Sequence, residues 1–235
     1  MTSRDFRIVG NMKMHAVSSV LDEYARSIGH RQVTLMVPYP YLSQAKKQFE
    51  GLGVRIGAQA VSAFEQGAYT GEVSADMLID IGIDEVLVGH SETRVLGRDI
   101  VKELNRAQAS GLKVIYCIGE DLDSYNQGRR FEDLTKQLAC LGNVDNLAIA
   151  YEPVWSIGSG KIPAINEIEE VVEMVRTWVE RHFPGNSEKI DVLYGGSINQ
   201  NNCFEIYQAT SLDGFLVGGV SLKPGVMMEV IDLCS

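Results

Sequence analysis

Short apolar runs rich in β-branched residues recur along the chain and alternate with longer stretches whose apolar positions fall three and four apart. The runs are Phe6–Gly10, Val33–Val37, Val54–Ala58, Glu85–Val88, Lys113–Cys117, Leu147–Tyr151, Asp191–Tyr194 and Gly214–Val217. They are continuous rather than alternating, the pattern of strands covered on both faces. Between them, Ser18–Ser27, Asp99–Ala109 and Glu167–His182 read as helices. In the last, Ile168, Val171, Val172, Val175 and Val179 make one stripe. Eight strands in strict alternation with helices predict an all-parallel α/β fold.

Alternation alone does not separate a closed barrel from an open, doubly wound sheet. No G-x-G-x-x-G run follows the first strand, which removes the main support for a dinucleotide-binding sheet. Gly158-Ser-Gly-Lys161 shares part of a phosphate-loop pattern, but Trp155 and Ile162 stand where that loop needs a glycine and a hydroxyl. No linker or low-complexity tract divides the chain. The pattern favours an eight-stranded (β/α)8 barrel, with residues 1–235 as one domain. At 235 residues this is a compact barrel, since the fold typically takes about 250.

Charge narrows the possible partners. A formal net charge of −10, with no basic stripe, sets the surface against nucleic acid and anionic membranes. Such a chain can still hold a phosphate if backbone N–H groups and one or two buried cations supply the local field. Cys117, Cys140, Cys203 and Cys234 form neither a CxxC pair nor a Cys/His cluster. That pattern predicts reduced thiols, a cytoplasmic protein and no metal site. No run approaches the roughly 18 apolar residues of a membrane span.

In a barrel of this kind chemistry gathers at the C-terminal ends of the strands. Here those ends carry Asn11-Met-Lys13, Gly89-His-Ser-Glu92, Glu152-Pro153, Gly195-Gly-Ser197 and Gly218-Gly219. Pro153 keeps Glu152 extended at the strand mouth, and its apolar neighbours should raise its pKa toward that of a general base. A structural carboxylate that caps a helix or pairs with an arginine is the alternative. His90 precedes a helix expected to begin at Ser91 or Glu92, whose dipole disfavours a cationic ring. A neutral imidazole there can donate to a carbonyl oxygen; a satisfied core histidine explains it equally. Lys13, set between Met12 and Met14, supplies the fixed positive charge a phosphate needs, unless it snorkels on the rim. The glycine pairs at 195/196 and 218/219 end the seventh and eighth strands, where barrels commonly build phosphate sites from backbone N–H groups. Pro153–Lys161, stiff at its ends and glycine-bearing at Gly158 and Gly160, has the makeup of a closing flap, with Trp155 and Ile157 to exclude water.

Eight ordered motifs then identify a family. They are Gly-Asn-Met-Lys-Met at 10–14, Gly-Ala-Gln at 57–59, Gly-Ala-Tyr-Thr-Gly-Glu at 67–72, Val-Gly-His-Ser-Glu at 88–92, Cys-Ile-Gly-Glu at 117–120, Ala-Tyr-Glu-Pro-Val-Trp at 150–155, Tyr-Gly-Gly-Ser at 194–197 and Asp-Gly-Phe-Leu-Val-Gly-Gly at 213–219. Along nearly its whole length the chain resembles the triosephosphate isomerases. The resemblance implies a cofactor-free proton transfer on a triose phosphate, within glycolysis and gluconeogenesis. It implies Glu152 as the base, His90 as the neutral electrophile, and Lys13 with Asn11 stabilising the developing oxyanion. Glu92 would position Lys13 or shuttle a proton. Gly158, Ser197, Gly218 and Gly219 would bind the phosphate. It also implies a homodimer through the Gly67–Glu72 loop, with Thr70 near Asn11 and Lys13 of the partner subunit.

The chain departs from the family's usual residues at several places. Met12 replaces Trp, Thr93 the first of two arginines, Ala60 an Asn, and both Ser156 and Val220 an Ala. The stretch between Arg94 and Cys117 is shorter than usual. The missing arginine at Thr93 is expected to loosen the loop after the fourth strand or the dimer contacts. An aldolase is excluded because no strand end offers a Schiff-base lysine or a metal cluster. A non-catalytic barrel that binds a phosphate ligand is the alternative reading, although such a descendant is expected to have lost Glu152, His90 or Lys13.

Overall fold

Eight parallel strands close on themselves in sequence order in the computed structural model, which describes residues 6–158 and 161–235. They are β1 (Arg7–Asn11), β2 (Val33–Val37), β3 (Val54–Ala58), β4 (Glu85–Val88), β5 (Lys113–Ile118), β6 (Leu147–Tyr151), β7 (Asp191–Tyr194) and β8 (Gly214–Val217). The ring shuts where Arg7–Gly10 of β1 pair in register with Gly214–Val217 of β8. Helices α1 (Ser18–Ser27), α2 (Leu42–Gln48), α3 (Ala75–Asp80), α4 (Ser91–Arg94) and α5 (Ile100–Ala109) surround the first half. Helices α6 (Leu122–Asn126), α7 (Arg130–Leu138), α8 (Ile165–His182), α9 (Cys203–Ala209) and α10 (Pro224–Leu233) surround the second.

Six strands begin and end where the apolar runs do, and the two differences have physical causes. β1 is shifted by one residue: Phe6 leaves the ladder to pack edge-on against Tyr207 and Phe215, while Asn11 joins it opposite Met36. β5 gains Ile118, which pairs with Tyr151 before Gly119 ends the strand. At Gly119 the chains approach so closely that a Cβ would run into the Glu152 carbonyl oxygen. The helix starts also move. Asp99 is the cap of α5, its carboxylate accepting from the Lys102 N–H at 3.2 Å. α8 begins two residues before Glu167, whose carboxylate reaches back to the Ala164 N–H at 2.8 Å.

The continuous apolar runs serve two cores. Val9, Met36, Leu87, Ile115, Cys117 and Leu193 point into the barrel, while their strand neighbours Ile8, Leu35, Val86, Val114 and Val192 meet the helices. The α8 stripe lies in the outer core, each of its five side chains fully buried. Each contributes roughly 1.5–3 kcal/mol on area grounds.

The N-terminal end of the barrel is tied across its width. Arg7 of β1 donates to Glu85 of β4 at 2.6 Å and to Asp191 of β7 at 2.9 Å. Glu85 is only 4% exposed, so removing its cation leaves a charge in a place that cannot hydrate it. Arg7→Met is therefore expected to lower the unfolding free energy by about 3 kcal/mol in urea titrations, with turnover of the folded protein unchanged.

Candidate active site

The polar residues picked out in the sequence meet at the opposite end of the barrel. Asn11 closes β1 and is 4% exposed. Its Oδ1 accepts from the Lys13 N–H at 3.0 Å and from Gln59 Nε2 at 3.2 Å. The same Gln59 amide lies 2.9 Å from the Lys13 carbonyl and 3.0 Å from that of Met36. These contacts hold Lys13 at φ +50°, a left-handed backbone that a side-chain-bearing residue adopts only under constraint. The constraint aims the side chain inward. Lys13 Nζ sits 2.6 Å from Glu92 Oε1, and a Cβ on Gly218 would be only 3.8 Å from it. The ammonium is thus at the glycine turn that ends β8, not snorkelling on the rim.

Glu152 follows β6 and is 2% exposed. Its Oε1 lies 3.1 Å from His90 Nε2, and its Oε2 accepts from the Ser91 N–H at 3.0 Å. Gly195 packs directly on it, so a Cβ there would press on Glu152 Cγ. Burial pushes the Glu152 carboxyl above the ordinary carboxylate range; His90, the Ser91 N–H, Lys13 and Arg94 only partly offset this. Cys117 lies beneath, and burial together with the nearby Glu152 keeps its thiol protonated.

His90 caps α4. Its Nδ1 accepts from the Glu92 N–H at 3.2 Å, which leaves that nitrogen without a proton. The Glu92 carboxylate, at 3.8 Å, is beyond hydrogen-bond range of the ring. The hydrogen-bond network therefore assigns the ring proton to Nε2, pointing at Glu152. The site contains a buried carboxylate that takes up protons readily, a neutral N–H donor against it, and an ammonium across the mouth. Such a set can move a proton at carbon while polarising an adjacent carbonyl.

The anion-binding candidates are gathered less tightly. Ser197 Oγ donates to the Ser156 carbonyl at 2.9 Å, which joins the loop after β7 to the flap. Gly218 borders Lys13, whereas Gly158 and Gly219 face open space, with nothing within 4 Å of where a Cβ would stand. Of the flap residues expected from the sequence, Gly160 and its neighbour Ser159 lie outside the described residues. The expected cover role of Trp155 is corrected. Its indole N–H donates to Glu120 at 2.9 Å and its ring packs on Tyr125, so it anchors the flap's root. Glu120, 1% exposed, also accepts from the Tyr151 hydroxyl at 3.1 Å. Thr93 has a local task too, donating through Oγ1 to the His90 carbonyl at 2.7 Å.

Three positioning residues were not assigned roles from the sequence: Gln59, Glu120 and Arg94. Arg94 donates to the carbonyls of Gly89 at 2.7 Å and Cys117 at 2.8 Å, bracing the ends of β4 and β5. A signal existed for each. Gln59 follows a strand end directly, Glu120 stands two residues beyond one, and Arg94 stands one helical turn from His90.

The family model for triosephosphate isomerase matches residues 6–234. Triosephosphate isomerase of Nitrosomonas europaea is 38% identical, with 97% of this chain and 96% of the relative covered. That of Alkaliphilus oremlandii is 36% identical over 96% of this chain and 98% of its own length, and that of Neurospora crassa 35% over 98% of each.

The raised carboxyl has a consequence for stability with a definite sign. A neutral Glu152 suits its burial, so the stability it lends is present below its unfolded value of about 4.3 and is lost as pH rises through the higher folded value. Glu152→Gln, uncharged at every pH, is expected to raise the thermal midpoint at neutral pH, the gain vanishing in acid, while turnover falls about 10³-fold or more. Calorimetry and a steady-state assay of one preparation check both halves.

Proposed function

The chain belongs to the triosephosphate isomerase family, and on that premise we propose a role for each residue of the site in interconverting dihydroxyacetone phosphate and D-glyceraldehyde 3-phosphate. Glu152 removes a proton from the carbon beside the carbonyl and returns it to the neighbouring carbon. His90 donates its Nε2–H to the carbonyl oxygen that becomes an enediolate oxygen, and moves a proton between the two oxygens. Lys13 and Asn11 stabilise the same developing negative charge, and Glu92 positions Lys13. The N–H groups of Gly158, Ser197, Gly218 and Gly219 hold the phosphate. The flap closes over the intermediate, keeping out the water that would promote phosphate loss.

One observation carries this assignment: the Glu152 carboxylate is buried, proton-avid and 3.1 Å from an imidazole N–H. A barrel that merely retained a phosphate ligand has no use for a destabilising ionised carboxylate at its mouth.

We read residues 1–235 as one domain that works in the cytoplasm as a homodimer. Four free thiols support the compartment, and no helix among the described residues is long and apolar enough to cross a membrane. Exposed apolar side chains on three neighbouring loops support the dimer. Met14 is 95% exposed, Val95 84% and Leu96 76%, and Phe64 stacks on Tyr69 in the loop that carries Gly67–Glu72.

A coupled assay on the purified protein tests the activity, and absence of turnover in both directions overturns it. Glu152→Asp, which withdraws the carboxylate by about one methylene, is expected to lower kcat roughly 10²-fold with little change in KM. Since the base must be ionised, kcat/KM should fall on the acid side at a pH above the ordinary carboxylate range. Lys13→Ala should instead raise KM strongly, and a variant that keeps its affinity contradicts the role given to Lys13.

A further inference from the structure

The loop between β3 and α3 poses a mechanical problem. Its neck is closed by one backbone bond, from the Ser62 N–H to the Val73 carbonyl at 2.8 Å. Beneath it lies a cavity of about 430 Å³ bordered by Phe64, Gly67, Tyr69, Glu72, Asp76 and Met77. Core packing therefore does not fix the shape of the loop, and its stacked Phe64–Tyr69 pair stands 42% and 43% exposed.

Two arginines reach it from the side. Arg98, just before α5, donates to the Val61 carbonyl at 3.0 Å and pairs with Glu72 at 3.3 Å, one contact on each side of the neck. Its Nε is held in turn by Glu103, a carboxylate of α5 that is 3% exposed. Arg106, two turns along α5, pairs with Glu65 on the outgoing limb and reaches Asp76 at 3.5 Å on the returning side. Both limbs of the loop are thus pinned to one rigid helix. Thr93, by contrast, spends its side chain on the His90 carbonyl.

We propose that Arg98 and Arg106 form a clamp that presets the 61–76 loop for docking into a second copy of this chain. The clamp rests on the homodimer reading above and explains how a loop over a hollow can serve as an interface. Preorganisation is the physical benefit: the loop's conformational freedom is removed by intramolecular pairs before association, so docking does not have to remove it.

The Arg98–Glu72 pair is partly exposed and weak on its own, so losing it should loosen docking by about fivefold per loop, while the stranded Glu103 lowers stability separately. A two-fold dimer uses the loop twice, so Arg98→Ala should raise the dimer dissociation constant roughly 25-fold. Sedimentation across a concentration series measures this, and hydrogen exchange of the 61–76 amides reports the freed loop. At low enzyme concentration the variant should lose specific activity and regain it as concentration rises, a recovery that a general folding defect does not give. Arg98→Lys, with the charge but not the fork, should recover part of the loss. Arg106→Ala, whose partners Glu65 and Asp76 are exposed, should shift both readouts the same way by less; if Arg98→Ala fails to fold, Arg106→Ala and Glu72→Gln decide. A wild-type chain that sediments as a monomer overturns the dimer reading and the clamp with it. A wild-type dimer whose folded variants keep the same dissociation constant and loop exchange overturns the clamp alone.

Discussion

A carboxylate shut away from water, with a single uncharged imidazole and one backbone N–H for company, is the constraint around which this barrel is arranged. The ionised form is disfavoured by its surroundings, and nothing local to β6 would keep it in place. What keeps it is the closeness of the neighbouring strands. Gly119 lets β5 run hard against the Glu152 backbone, and Gly195 lets the end of β7 lie on its side chain. A Cβ at either position would move the group that the chemistry needs at a fixed distance from His90. Backbone geometry, more than charge pairing, holds this carboxylate.

The anion problem is solved with little positive charge. A chain of net charge −10 brings one ammonium, Lys13, to the turn at Gly218 and fixes it there with a strained backbone and the amide of Gln59. Glu92 answers the ammonium at 2.6 Å while lying 53% exposed, so the pair is partly hydrated and its hold on Lys13 is loose. Field and solvation are divided by position: charge is buried where a proton moves and left wet where a ligand must enter and leave.

Most of the barrel was legible because both faces of every strand are covered, which makes each strand a continuous apolar run that no exposed element imitates. The residues at the strand mouths were legible for a related reason: Asn11, His90 and Glu152 are polar side chains set within two residues of the ends of apolar runs. What escaped depends on where a side chain turns once the chain is folded. Trp155 looked like a cover because it is large and lies on the flap; the buried Glu120 draws it the other way. Gln59 and Arg94 act through backbone carbonyls on other strands, and no local pattern encodes such a long-range partner.

The seam between β1 and β8 joins the two ends of the chain. A growing polypeptide therefore carries β1 with an open hydrogen-bonding edge for nearly the whole of its synthesis, since the strand that covers it is the last to emerge. Asn11 ends that first strand, Lys13 lies just beyond it and Gly218 follows the last, so no nascent fragment brings these residues together early. Edges left open for so long invite pairing with other chains, which makes this seam the place where misassembly would begin.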